Sequence, residues 1–130
     1  MKTEWNNLDA FMAENLNEFK PFAYFDKHMD CVRVKFQDCS VTEVRLNRFL
    51  TVLKPNHNKS NGIAGFTIKG FAYLFNGLGW SKDNPYKVAE LLNAIVSKYP
   101  DGESIKLKKQ VEGNSACENL LIHFADFALN

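Results

Sequence analysis

Asp26, His28 and Asp30 stand at alternate positions, and carboxylates spaced by two can converge on a hard cation through oxygen ligands, as in the opening of a calcium loop. The rest of such a loop does not follow. Its sixth position is Cys31 where glycine is required, and its twelfth is Gln37 where a bidentate glutamate is required. A hairpin turn accounts for the three residues better, because an aspartate side chain bonds nearby backbone amides without any ligand. His28, Cys31, Cys39 and His57 carry the softer donors that zinc prefers, yet they lack the paired C-x-x-C spacing that presets a tetrahedral site. The sequence therefore predicts neither a metal nor a cofactor.

Nucleophilic chemistry fares no better on motif grounds. There is no Gly-x-Ser-x-Gly elbow, no phosphate loop and no His-Glu-x-x-His helix, and Gly77-Leu78-Gly79 lacks both a third glycine and a preceding buried strand. No catalytic residue is assigned. A small metal-dependent or Cys/His enzyme would have to be assembled from His28, His57, His123 and a cysteine, and that stands as an alternative reading. Cys31, Cys39 and Cys117 are an odd number of cysteines, so reduced thiols are expected. Cys31 and Cys117 read as packing residues and Cys39 as the exposed one.

The feature with most chemical content is cationic. Arg33, Lys35 and Arg45 fall on one face of alternating segments, with Arg48 and the Lys54 to Lys59 loop, including His57 and Lys59, nearby. Arginine suits carboxylate and phosphate because its planar guanidinium donates two parallel hydrogen bonds, and His57 adds a pH-dependent donor. The formal charge of +1 is unevenly spread: residues 1–20 carry two lysines against four acids, residues 21–70 eight basic against four acidic, and residues 71–130 six against seven. A middle-segment excess of this size fits contact with an acidic protein surface better than with nucleic acid, which usually meets more concentrated positive charge. The plain alternative is a sheet face in water with Glu43 as counter-charge.

These residues need a scaffold, and the apolar periodicity supplies one. Trp5, Leu8, Met12, Leu16 and Phe19 recur at three and four, which predicts an amphipathic helix ended by Lys20-Pro21, its stripe packed on a sheet. After Pro21 the period changes to two. Phe22 to Phe25, Cys31 to Phe36, Val44 to Leu46, Phe49 to Leu53 and Ile63 to Lys69 read as a meander of four or five strands. The third can lie antiparallel to the second, which would set Glu43 near Arg33 or Lys35. Phe71 to Leu78 suits a short helix closed by Gly77 or Gly79. Asn84-Pro85 reads as the start of a helix reaching Lys98, with Val88, Leu91, Leu92, Ile95, Val96 and Tyr99 on its stripe. Beyond Pro100-Asp101-Gly102, the alternation of Ile105, Leu107 and Val111 suggests strand. Ser115-Ala116-Cys117-Glu118 matches a capping box, and residues 116–129 can be read as helix or strand, with strand preferred.

With 130 residues, 45% hydrophobic and 24% charged, the chain is expected to form a single α+β domain over residues 1–130. That domain is a mainly antiparallel sheet of four to six strands packed against two or three helices. Its longest apolar run, Phe71 to Phe75, is far short of the ~18 residues a membrane helix needs. No basic, apolar leader opens the sequence, so a cytoplasmic location is expected. Tyr24, Asp26, Asp30, Val32 and Val34, followed by a second hairpin and Gly65-Phe66-Thr67-Ile68, resemble a family of small uncharacterised bacterial domains over residues 22–71. The chain differs in Phe25, between Tyr24 and Asp26, and in Arg33, where the family tends to an aromatic. The resemblance implies a small curved antiparallel sheet and carries over no catalytic residue.

The function expected is a non-catalytic interaction or regulatory module with a basic sheet face, bound to a protein partner or to a second copy of the chain. The enzyme above and a weak nucleic-acid binder are the alternatives.

Overall fold

The computed structural model describes residues 19–56 and 62–124. The alternating stretches form β1 (Phe22–Asp26), β2 (Cys31–Lys35), β3 (Val41–Arg45), β4 (Leu50–Pro55) and β5 (Gly65–Lys69). All neighbouring pairs are antiparallel, in the order β1-β2-β5-β4-β3. The expected meander is thus corrected. β5 enters between β2 and β4, so β3 lies at the far edge from β1, and two strands, β5 and β4, separate Glu43 from Lys35. The energies explain the choice. A cross-strand charge pair is worth roughly 0.2–1 kcal/mol. Inserting β5 places Phe66 and Ile68 between Val34, Val32 and Val52, Leu50, all buried, and burying each such side chain is worth about 1.5–3 kcal/mol.

The register puts Ala23, Phe25, Val32, Val34, Phe66, Ile68, Leu50, Val52 and Val44 on one face, which forms one side of the core. The other side comes from helices α1 (Phe71–Gly77), α2 (Val88–Lys98) and α3 (Gly102–Glu112) and the single turn α4 (Ser115–Glu118). The α+β class is the one the sequence predicts. Asp30 ties α1 to the β1–β2 turn: its carbonyl accepts from the Phe71 amide at 3.1 Å and its Oδ1 from the Ala72 amide at 2.9 Å. Two donors left open at that helix start are so satisfied, since Gly70, with φ of 63°, offers no side chain.

Three expectations change along the second half. The helix read from Pro85 begins at Val88, because Tyr86–Lys87 (β6) instead pairs with Leu121–Ile122 (β7). Tyr86 also receives the Ser81 amide on its hydroxyl at 2.8 Å and packs by Trp80 and Phe124. Residues read as strand around Ile105 to Val111 are α3. Asp101 caps it by accepting the Ser104 amide at 2.8 Å, and Ser104, Leu107 and Val111 face inward at helical spacing while Ile105 is exposed. Of the ambiguous 116–129 segment, the capping-box residues form the turn α4 and Leu121–Ile122 the short strand, while residues 125–129 lie outside the described residues.

The helix expected over Trp5 to Phe19 falls outside the described residues up to residue 18. Phe19 itself meets the Phe22 ring edge-on at 6.0 Å. Among the described residues, no helix is long and apolar enough to cross a membrane.

Candidate functional site

The register sets Arg33, Lys35 and Arg45 on the sheet face opposite the core, as their alternation predicts. They do not gather there. One row across that face reads Tyr24, Arg33, Thr67, Thr51, Arg45, so the two arginine backbones stand three strand spacings, about 14 Å, apart. Arg33 turns to Asp26, with Nε 3.5 Å from Oδ2, which replaces the pairing with Glu43 expected from sequence. Arg45 donates from Nε to the Asn47 carbonyl at 3.1 Å. Arg48 lies over the Phe49 and Tyr73 rings, 5.1 and 5.0 Å from their centroids, a cation–π stack that fixes its head away from that row. His57 and Lys59 lie outside the described residues.

Of the donors read as metal or catalytic candidates, Asp26 and Asp30 are taken up in the backbone's own turns. Asp26 Oδ1 accepts from the His28 and Met29 amides at 3.1 and 3.2 Å, the turn that its position predicts. The Met29 amide, helped by Arg33, holds the Asp26 carboxyl below its ordinary range against a smaller opposing effect of desolvation. His28 and His123 do line one hollow of about 750 Å³, between the β1–β2 turn and β7, though no cysteine lines it. Among the described residues, no three His, Cys, Asp or Glu side chains are placed to hold a metal ion.

Cys31 and Cys117 are buried, and burial pushes their thiols up, Cys117 to about 11. Half-buried Cys39 is the most accessible of the three. A thiol titration near neutral pH should therefore show one fast site, which peptide mapping assigns to Cys39, with Cys117 at least tenfold slower. Equal rates at all three would contradict this packing.

A different group of cations converges. Between β4 and α3 lies a cleft of about 600 Å³, its floor made by Leu46, Val52, Ile63 and Leu107 and its rim by Lys54, Lys106 and Lys109. Lys54 arrives from the end of β4, opposite Thr42, and Lys106 and Lys109 from adjacent turns of α3. Among the described residues one acid lines the cleft, Glu103, 3.9 Å from Lys106, and both side chains are well exposed, so this pair neutralises little.

The cleft is held open by a polar node at the β3–β4 turn. Asn47 donates from Nδ2 to Asp101 Oδ2 at 2.7 Å and to Ser104 Oγ at 2.5 Å, while its Oδ1 accepts the Phe49 and Leu50 amides, both at 2.9 Å. The start of α3 is thereby pinned to the start of β4. No protein-family model, curated protein or solved structure matches the chain.

Sequence reasoning found Lys54 but missed Lys106 and Lys109. Two signals mark them: aspartate three residues before Ser104, and the inward series Ser104, Leu107, Val111. Together they define a capped helix and put residues 106 and 109, three apart, side by side on its flank.

Proposed function

We propose that the protein is a non-catalytic interaction module that holds an acidic segment of a partner protein in the cleft between β4 and α3. The observation that carries this reading is the convergence of Lys54, Lys106 and Lys109 above an apolar floor, with Glu103 the one acid among the described lining residues. The cleft lies within the ordinary size range of ligand sites, roughly 300–1,000 Å³. Its chemistry asks for carboxylates at the rim and at least one apolar side chain below. Two or three rim charges add steering and register more than affinity, as suits a regulatory contact that must release.

The test uses a fluorescent peptide that alternates glutamate with leucine and phenylalanine. Binding should weaken steadily as salt rises from ~50 to ~300 mM, because the screening length shortens from roughly 14 to roughly 6 Å and exposed charges attract one another less. Reversing both Lys106→Glu and Lys109→Glu should weaken it at least tenfold, about 1.4 kcal/mol or more. Binding that ignores both salt and the double reversal would refute the assignment. A labelled single-stranded oligonucleotide bound more tightly than the peptide would instead favour nucleic acid.

A further inference from the structure

We propose that β3 is a docking edge for a second copy of this chain: two β3 strands pair antiparallel about Val44, and Glu43 of each copy meets Arg45 of the other. This goes beyond the cleft reading and does not depend on it. Three observations lead there.

The first is an open edge. β1 and β3 end the five-stranded sheet, and β7 packs against β1, whereas β4 is the one strand that pairs with β3 among the described residues. Thr42, Glu43 and Arg45 are exposed and Val44 is half-buried. Edges that stay single are guarded by lysine, proline, a bulge or an inward charge. Val41-Thr42-Glu43-Val44-Arg45 carries none of these, pairs with β4 without a break, and is rich in the β-branched residues that favour strand.

The second is the phase of the hydrogen bonds. The Leu46 amide donates to the Leu50 carbonyl at 2.9 Å, and the Asn56 amide to the Ser40 carbonyl at 2.9 Å. Bonded pairs in an antiparallel ladder recur at every second residue, so Thr42 and Val44 also turn their amides and carbonyls to β4. Glu43 and Arg45 turn theirs outward, and these are the groups an added strand bonds. A two-fold axis at Val44 sets Glu43 opposite the partner's Arg45 and Arg45 opposite the partner's Glu43, each pair exchanging both backbone bonds.

The third is charge. Centring the axis on Glu43 instead would set that residue against its own copy, and like charges directly opposite are destabilising. Centring on Val44 makes two Glu–Arg pairs on the face opposite the core. An acid followed two residues later by a base is what a strand needs to complement itself in this orientation. Among the described residues no cation is bridged to Glu43. Arg45 gives its Nε to the Asn47 carbonyl, which leaves its terminal nitrogens for the opposing carboxylate. On the core side Val44 meets its copy, and Leu46 meets the partner's Thr42.

Joining two short strands makes an interface below the roughly 1,200 Å² of standard complexes, so the dimer is transient and covalent trapping reads it. The experiment uses the full chain with Cys39→Ser, which removes the accessible thiol, and one probe cysteine. A cysteine links to its own copy where the axis passes, since the Cα atoms of a non-bonded antiparallel pair stand about 4.5 Å apart, within disulfide reach. Under copper–phenanthroline oxidation, followed on non-reducing gels, Val44→Cys should link at least tenfold faster than Thr42→Cys or Glu43→Cys. Adding Glu43→Arg to the Val44→Cys chain should slow the link at least tenfold, because both pairs become like-charged, and adding Arg45→Glu as well should restore it. Val44→Cys chains bearing Glu43→Arg and Arg45→Glu separately, each slow alone, should link quickly when mixed, a recovery that unfolding of either variant would not produce. Equal rates at the three positions, fastest linkage at 42 or 43, indifference to Glu43→Arg, or no recovery on mixing overturns the proposal.

Discussion

Replacing Asn47 with alanine should lower the unfolding free energy by about 2 kcal/mol, as expected for opening a partly buried polar network. Four hydrogen bonds pass through this one amide, two to the start of α3 and two to the backbone of the β3–β4 turn. Ser104 is fully buried, so its hydroxyl cannot turn to water once Asn47 is gone. The Phe49 and Leu50 amides lose their acceptor as well. Urea denaturation with an unchanged slope measures the effect, and a loss under 0.5 kcal/mol would show that the node is ornamental.

The same substitution has a pH signature with a definite sign. The Ser104 amide first, and Asn47 next, hold the Asp101 carboxyl below its ordinary value of 3.8. A carboxyl whose folded pKa is lowered stabilises the fold above its unfolded pKa, and that stabilisation fades as pH falls through the folded value. In Asn47→Ala part of the lowering disappears, so the acid-unfolding midpoint should move to higher pH. Binding of the acidic peptide at neutral pH should weaken too, because α3 no longer holds Lys106 and Lys109 over the cleft floor.

Gly65→Ala should cost about 3 kcal/mol and lower the melting temperature by roughly 10 °C, as expected for a backbone clash in a packed sheet of this size. A methyl at Gly65 would run into the Val34 carbonyl oxygen and stand 3.0 Å from Lys35 Cα and 3.1 Å from the Val34 carbonyl carbon. These are backbone atoms of β2, which cannot swing aside as a side chain would. β5 is the strand that joins the β1–β2 and β3–β4 hairpins, so displacing it loosens both halves of the sheet. Gly102→Ala is the contrast. Nothing lies within 4 Å of a methyl there, and in the first turn of α3 the exchange should be neutral or stabilise by about 0.5 kcal/mol. Differential scanning calorimetry of both variants tests the pair, and equal melting temperatures would contradict the close approach of β5 to β2.

Which parts of this were legible without coordinates follows from the range of the forces involved. Alternation in Cys31 to Phe36 and in Ile63 to Lys69 names strands, and the recurrence of Val88, Leu91, Leu92, Ile95 and Val96 names a helix, because side-chain periodicity is a local property. Burial of Val32, Val34 and Phe36 agrees with the pattern that predicted it. The face shared by Arg33, Lys35 and Arg45 was legible for the same reason, as was the turn chemistry of Asp26.

Which strand lies beside which is not a local property. The insertion of β5 between β2 and β4, the diversion of Tyr86–Lys87 into a pair with Leu121–Ile122, and the capture of Asn47 by Asp101 and Ser104 join residues between 12 and 57 positions apart. Their reward is apolar area and hydrogen bonds counted over the whole core. The sequence by itself determined the α+β class, most of the elements and the sign of charge on each face. Only the tertiary structure decided that the scattered arginines stay apart while Lys54, Lys106 and Lys109 meet, since convergence depends on how α3 docks and not on spacing along the chain.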